Sequence, residues 1–329
     1  MKIAFLRKDD QSPIDWVPVA AAEAGFEFVD CQPKTPQEVA DVAADADIVW
    51  DMGGVSMITA EIMPQLNRCG AIIRAGSGTD NIPVVEATEM GIIVANTPAG
   101  PALGVSEHTV GLILAMTHQI ARSDREVRAG GWDVGVPIPA LVHGSTIGLV
   151  GFGHIPRGVA ARLQPFGAEL LAYDPVVEPA VMAELDVRSV SFEELLVQSD
   201  VVSLHVPLLE TTYHLIGETE LESMKPTSIL INTARGPIVD SHALAKALQD
   251  GTIAGAGVDV LEEEPAAADD PLVGLPNVVI TPHNGSSHAM LLDDFCRLAL
   301  QTAIDLSQYK WPVSYVNPEV VPRWDMPKR

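Results

Sequence analysis

Three short segments each place a polar or charged group directly after an apolar, strand-like run: Asn232-Thr233-Ala234-Arg235-Gly236, Asp259-Val260-Leu261-Glu262-Glu263-Glu264-Pro265 and Thr281-Pro282-His283-Asn284-Gly285. In an open parallel sheet such strand ends converge on one crevice, so Arg235, Glu264 and His283 can meet although they are distant in sequence. An arginine binds an anion through a planar fork, and a histidine moves a proton when a carboxylate orients it. The chemistry expected of this trio is proton transfer to or from a bound anionic substrate. Among the nine histidines the nearest rival is His205, which also follows an apolar run, Asp200 to Leu204, but lies just before Pro207. His108, beside Glu107 on a helix-like stretch, is expected to make an interdomain contact. Glu262 and Glu263 are expected to belong to a plain acidic loop.

A second motif supplies a partner for that site. Thr146-Ile147-Gly148-Leu149-Val150 reads as a buried strand, followed at once by Gly151-Phe152-Gly153-His154-Ile155-Pro156-Arg157-Gly158 and a helix-like stretch to Phe166. This is the pattern of a dinucleotide-binding turn, in which one glycine makes the turn, the next admits a pyrophosphate, and the helix amino end supplies N–H groups. Pro156 stands where the third glycine is expected. Its ring is tolerable in a first helical turn, and Gly158 is expected to supply the close helix-to-strand contact instead. The next strand, Glu169 to Tyr173, ends at Asp174, about 20 residues on, where such folds place a carboxylate for the ribose hydroxyls. Asp174 would repel a 2′-phosphate, and Pro175-Val176-Val177-Glu178 offers no base to receive one, so the expected cofactor is NAD. The plain alternative is a tight βα turn and a solvated aspartate.

With both motifs in view the chain resembles the D-isomer-specific 2-hydroxyacid dehydrogenases, which include glyoxylate/hydroxypyruvate reductases, phosphoglycerate dehydrogenases and D-lactate dehydrogenases. The carriers are Gly151 to Ile155, Asp174-Pro175, Leu204-His205-Val206-Pro207-Leu208, Asn232 to Gly236, Asp259 with Glu264-Pro265, and Thr281-Pro282-His283. Near the amino end, Arg74 to Ile82 and Ser106-Glu107-His108-Thr109 also look like the family. The resemblance implies that Arg235 holds the substrate carboxylate and that His283 gives the carbonyl oxygen its proton. It implies that Glu264 orients His283 and favours the charged ring. It carries cofactor contacts onto Gly151, Gly153, His154, Ile155, Asp174, Val206, Pro207, Thr212, Thr233, Ala234, Arg235, Asp259 and His283. Gly76, Ser77 and Gly78 would join Arg235 in binding substrate. The loop Trp50 to Met57 falls where this family contacts the substrate side chain, and it contains no base. That lowers the case for a phosphorylated substrate unless Arg7 or Lys8 points inward, and favours glyoxylate, hydroxypyruvate or a modest apolar 2-oxo acid. Glu264 argues against the related formate dehydrogenases, which the resemblance supplies with an amide there. Phosphite dehydrogenases and weakly active, NAD-binding corepressors keep the trio and stand as alternatives.

The 329 residues suffice for two α/β domains, and the expected fold is a pair of Rossmann-like, doubly wound domains. The substrate domain is discontinuous and flavodoxin-like, formed by residues 1–100 and 288–329. The NAD-binding domain spans 101–287. A helix from about Gly104 to Ala121 leads across, Ala129-Gly130-Gly131-Trp132 resembles the family's dimer arm, and an amphipathic segment from His288 to Gln308 leads back. The active site is then expected between the domains. With 44 acidic against 20 basic residues the formal charge is −24, and no basic run is present, which disfavours nucleic-acid and anionic-membrane partners. No membrane-spanning run, signal-like leader or metal-ligand spacing is evident. Cys31, Cys69 and Cys296 read as buried thiols, so a cytoplasmic homodimer without metal is expected.

Overall fold

Runs of Ile, Val, Leu and Ala bounded by glycine and polar turns form short strands, buried at the centres of the sheets and more exposed at their edges, as parallel sheets covered on both faces require. In the computed structural model, which describes residues 1–7, 14–53, 57–132 and 140–328, the chain divides into two compact units. Unit 1 comprises Met1–Pro101 and His288–Arg329, and unit 2 comprises Ala102–Ser287.

The elements run in the order β1 (Lys2–Leu6), α1 (Trp16–Glu23), β2 (Glu27–Cys31), α2 (Pro36–Ala43), β3 (Ile48–Asp51), β4 (Ala71–Arg74), α3 (Val84–Glu89), β5 (Ile93–Asn96), α4 (Ala99–Thr117) and α5 (Ile120–Arg128). There follow β6 (Thr146–Val150), α6 (His154–Leu163), β7 (Glu169–Tyr173), α7 (Pro179–Ala183), β8 (Arg188–Ser189), α8 (Phe192–Gln198), β9 (Val201–Leu204), α9 (Glu218–Ser223), β10 (Ile229–Asn232), α10 (Ser241–Asp250), β11 (Gly255–Val258), β12 (Val278–Ile280) and α11 (Leu291–Ser307).

Unit 1 holds a five-stranded sheet of order β2-β1-β3-β4-β5, the flavodoxin-like order, with parallel pairings. Alternate residues face opposite sides. Ile3, Phe5, Ile48, Trp50 and Ile73 pack with Val17 and Ala21 of α1 and with Phe295, Ala299 and Leu306 of α11. On the other side Ala4, Leu6, Val49, Ile72 and Val94 meet Val39, Ala40 and Ala43 of α2. Trp50 is fully buried and packs edge-on to Phe5, with ring centroids 5.1 Å apart.

Unit 2 holds a seven-stranded parallel sheet of order β12-β11-β10-β9-β6-β7-β8, so the direction of strand addition reverses between β6 and β9. One face packs Leu149, Ala172 and Ile231 against Ile113 and Met116 of α4 and Val159, Ala160 and Leu163 of α6. The other packs Val202, Leu230 and Ala256 against Leu195 of α8 and Leu244 and Leu248 of α10. Asp240 starts α10 by accepting from the Ala243 N–H, and Gly251, at φ 72°, ends it in the left-handed region that favours glycine.

One expected helix differs. The run expected from Gly104 to Ala121 begins at Ala99 and stops at Thr117, and α5 follows as a separate helix after Gln119, which takes φ 56°. The Thr117 hydroxyl donates back to the Ile113 carbonyl, the local competition by which threonine bends helices.

Candidate active site

Strand register brings the expected residues to one edge of unit 2. Val150, Leu204, Asn232, Val258 and Ile280 pair in sequence across β6, β9, β10, β11 and β12, so Gly151, His205, Thr233, Asp259 and Thr281 form the next row. This row lies at the carboxyl ends of the strands, beside the reversal in strand order, where open parallel sheets bind ligands.

At the β6 end, Gly151 has φ 94°, and a Cβ there would lie 2.8 Å from the His205 carbonyl oxygen. Gly153 is glycine for another reason. Its φ of −80° is ordinary and a Cβ there would meet nothing within 4 Å, so the space it leaves belongs to no protein atom. An opening at the amino end of α6 is the cradle a pyrophosphate needs. Asp174 faces this turn, accepting from the Phe152 N–H (2.8 Å) and from the N–H groups of Val176 and Val177 (2.8 and 3.1 Å). These bonds make it a fixed acceptor rather than a solvated surface group. Buried Pro156 sits in the first turn of α6 beside His154 and Ile155. Gly158 does not make the expected helix-to-strand contact. A Cβ there would meet Ser106 Oγ of α4 at 2.4 Å, so the close approach is between two helices. The sequence reading missed Arg157, whose Nε donates to the Phe152 carbonyl (3.0 Å) and whose guanidinium lies 5.6 Å from the Phe152 ring centroid.

Glu264 and His283 meet directly, with Nδ1 2.7 Å from Oε2. Both remain accessible, their side chains 37% and 47% exposed. Burial pushes the Glu264 carboxyl up, but the His283 ring, the Leu261 N–H and the Arg235 charge together hold it below the ordinary range. Arg235 follows β10, where the Asn232 side chain accepts from the Ala234 N–H (3.0 Å) and donates to the Arg235 carbonyl (2.9 Å), while Arg235 Nη1 donates to the Ala234 carbonyl (2.7 Å). His283 itself takes φ 51°, an uncommon region for a non-glycine residue.

The group that holds His283 in that conformation is Asp259. Its backbone carbonyl accepts from the His283 N–H (2.7 Å), and its buried carboxylate accepts from Thr281 Oγ1 (2.5 Å), Asn284 N–H (3.0 Å) and Gly285 N–H (2.8 Å). Asp259 caps no helix. Its carboxylate anchors the 281–285 loop, a role no spacing rule announced. His108, expected at an interdomain contact, instead lies 2.9 Å from Thr281 Oγ1 and 3.4 Å from Asp259 Oδ1, all within unit 2.

His205 bonds to Ser203 Oγ (2.9 Å), and desolvation pushes its pKa down to about 3. A ring held neutral is a poor source of a proton near neutrality. Val206 and Pro207 continue from it into a turn closed by Thr212, whose hydroxyl accepts from the Leu209 N–H (2.8 Å) and donates to the Pro207 carbonyl (2.6 Å). The Thr233 hydroxyl lies 2.9 Å from that of Thr109.

The remaining expected residues lie in unit 1. The Gly76 N–H donates to Thr97 Oγ1 (2.7 Å), so that donor is already used, and the Ser77 carbonyl accepts from Asn96 Nδ2 (2.7 Å). A small, half-open pocket at the carboxyl end of this sheet is lined by Leu6, Arg7, Pro33, Asp51, Gly53, Met57 and Ile58. Arg7 borders it with both arms of its fork on Asp30, at 2.8 and 2.9 Å. Lys8 and the loop residues Gly54, Val55 and Ser56 lie outside the described residues. Asp51 is raised by burial, partly opposed by the Gly53 N–H, Arg74 and Asn81. Arg74, the first residue of the amino-terminal run that looks like the family, lies 3.9 Å from Asp51 and fills the space a Cβ on Gly53 or Gly76 would need. Among the described residues no group of three or more His, Cys, Asp or Glu is arranged to hold a metal, and no helix is long and apolar enough to cross a membrane.

Comparison with known proteins gives a consistent picture. Residues 110–285 match the family model described as D-isomer specific 2-hydroxyacid dehydrogenase, NAD binding domain. The chain is 42% identical over 268 residues to a glyoxylate reductase of Korarchaeum cryptofilum, covering 80% of this chain and 81% of the relative. It is 37% identical over 306 residues to a D-3-phosphoglycerate dehydrogenase of Mycobacterium leprae, covering 91% of this chain and 57% of that one. Among solved structures, a glyoxylate reductase from Paecilomyes thermophila superposes with a TM-score of 0.87 at 27% identity, covering 97% of this chain and 98% of that one.

Proposed function

The chain belongs to the D-isomer specific 2-hydroxyacid dehydrogenases, and within that family we propose that it reduces a small, unphosphorylated 2-oxo acid with NADH, His283 giving the proton. The observation that carries this reading is the Glu264–His283 pair, close-packed yet open to solvent, with the Arg235 charge acting on it. Arg235 binds the substrate carboxylate and polarises the neighbouring carbonyl. His283 donates a proton to the carbonyl oxygen, and Glu264, kept ionised, stabilises the ring in its charged, correctly turned state. Gly151 to Ile155, Asp174, Val206, Pro207, Thr212, Thr233 and Ala234 would hold NADH, which would supply the hydride. Asp259 contributes by fixing the His283 loop.

The choice of an unphosphorylated substrate rests on Arg7. A phosphate is best met by a cation with donors to spare, and the Nε and Nη2 of Arg7 are engaged by Asp30. Glyoxylate and hydroxypyruvate are the leading candidates. We further propose a homodimer formed through the region around α5, supported by exposed Ile120, Val127, Trp132 and Leu141. A cytoplasmic location is supported by three free cysteines.

The test is NADH oxidation, followed by absorbance, on glyoxylate, hydroxypyruvate, pyruvate, phenylpyruvate and phosphohydroxypyruvate, with NADPH in parallel. Fast turnover of a small unphosphorylated acid with NADH supports the reading. Preference for phosphohydroxypyruvate would overturn the substrate assignment, and NADH binding without turnover on any acid would overturn the assigned reaction.

A further inference from the structure

The acidic run Glu262-Glu263-Glu264 carries two carboxylates with separate partners. Glu264 meets His283. Glu262 turns to the start of α10, where Oε1 accepts from both the backbone N–H (2.7 Å) and the hydroxyl (2.5 Å) of Ser241. That N–H is among the donors a helix start cannot satisfy internally, and the positive end of the helix favours a carboxylate there. On its other side Glu262 Oε2 lies 3.4 Å from His214 Nε2, and His214 Nδ1 lies 3.9 Å from Asp240. His214 is itself held in place. Its N–H donates to the Pro237 carbonyl (2.8 Å), and its ring stacks on Tyr213 with centroids 4.0 Å apart. A second clasp lies behind the same turn: a Cβ on Gly236 would fall 1.9 Å from the Leu261 carbonyl oxygen, so the backbone after Arg235 packs directly on Leu261–Glu262. Within the turn, the Leu261 N–H donates to Glu264 Oε1 (3.0 Å).

We propose that Glu262 is a positioning residue for the Glu264–His283 pair: seated on the start of α10, its carboxylate fixes the 261–264 turn against the Arg235–Gly236 backbone and so sets where Glu264 meets His283. This rests on the dehydrogenase reading of that pair and extends it to a residue the reaction never touches. The charged and titratable groups facing Glu264 are His283 and Arg235, and those facing Glu262 are His214 and Asp240 across the imidazole. Burial pushes Glu262 up, but Ser241 and His214 outweigh it and hold the carboxyl below its ordinary range.

Two substitutions separate the anchor from the charge. Glu262→Ala removes the Ser241 acceptor and frees the turn, so Glu264 loses the Leu261 N–H and its fixed approach to His283. Glu262→Gln removes the charge but keeps an oxygen for the Ser241 N–H. The Glu264 carboxyl is titrated by its carbon resonance in isotope-labelled protein, assigned by its loss in Glu264→Gln, alongside the pH profile of kcat/KM. In Glu262→Ala the Glu264 titration and the acid limb of the profile should both move to higher pH, and kcat should fall about tenfold, the scale of a small misplacement at a reacting group. Glu262→Gln should show no upward move, and NADH affinity by fluorescence should be the same in both. An unmoved or lowered Glu264 titration in Glu262→Ala overturns the proposal. Should that variant fail to fold, Ser241→Ala removes the hydroxyl donor alone: a smaller upward move supports the proposal and none overturns it. A wild type without turnover whose Glu264 still moves in Glu262→Ala keeps the clasp and sinks the dehydrogenase reading instead.

Discussion

At the carboxyl edge of the five-stranded sheet, Arg7 is closed on Asp30, and buried Asp51 takes the Gly53 N–H and Asn81 with Arg74 beside it. At the same edge of the seven-stranded sheet, Glu264 and His283 touch while 37% and 47% of their side chains stay exposed. The two edges come from the same kind of architecture and both gather charge, yet one compensates its charges internally and the other leaves them addressable. Compensated pairs shape a cavity and refuse ions, whereas an addressable pair exchanges a proton with whatever arrives.

The comparison breaks most sharply at His283. His283→Ala should lower kcat by about 10² to 10⁴ while NADH binding, read by fluorescence, survives, because a positioned acid contributes on that order. A loss below about tenfold would remove the distinction between the edges. Arg235→Lys should lower kcat/KM by about 10², mostly through KM for the oxo acid, since a point charge cannot reproduce a two-pronged carboxylate bond. Asp30→Asn tests the other edge. Releasing Arg7 should lower KM for phosphohydroxypyruvate by up to about tenfold and leave glyoxylate unchanged in steady-state kinetics, the modest scale fitting a partly solvated ion pair. The smallest effect is with pH. Glu264 is held below its ordinary value of 4.5, so its contribution is complete above that value and is lost only as pH falls through the lower folded value. Activity should therefore hold from neutrality to about pH 5, and stopped-flow reduction assays at lower pH should find the limb, absent in Glu264→Gln.

Much of this edge was legible because the chemistry sits directly after apolar runs. Ile229 to Asn232 announces a buried strand, and Arg235 must then stand at its end; Val278 to Ile280 does the same for His283. Asp174 was legible by its distance from the glycine turn. What escaped was whatever depends on a partner from another segment. Asp30 closes on Arg7 from the neighbouring strand in register, and nothing local to either residue marks the pair. Asp259 looks like any acid at a strand end until the 281–285 backbone folds onto it. Gly158 reads as a stand-in for a missing glycine, but its neighbour is Ser106, fixed by how two helices cross. The helix break at Gln119 hides in an apolar run because a threonine hydroxyl is a weak signal against strong periodicity.

The sheet of unit 1 relies on a helix that the chain delivers last. Phe295, Cys296, Ala299, Leu300, Ala303 and Leu306 of α11 close one face of that sheet, and the Asn317 side chain bonds the Val94 N–H of β5. On a ribosome, residues 1–101 therefore emerge with one apolar face covered by α1 but not by α11, and wait while all of 102–287 is synthesised. Because domains generally fold as units during synthesis, the inserted unit has its whole sequence first, and the amino-terminal sheet is sealed only when the carboxyl terminus arrives. For this protein the order of translation and the order of completion run opposite ways.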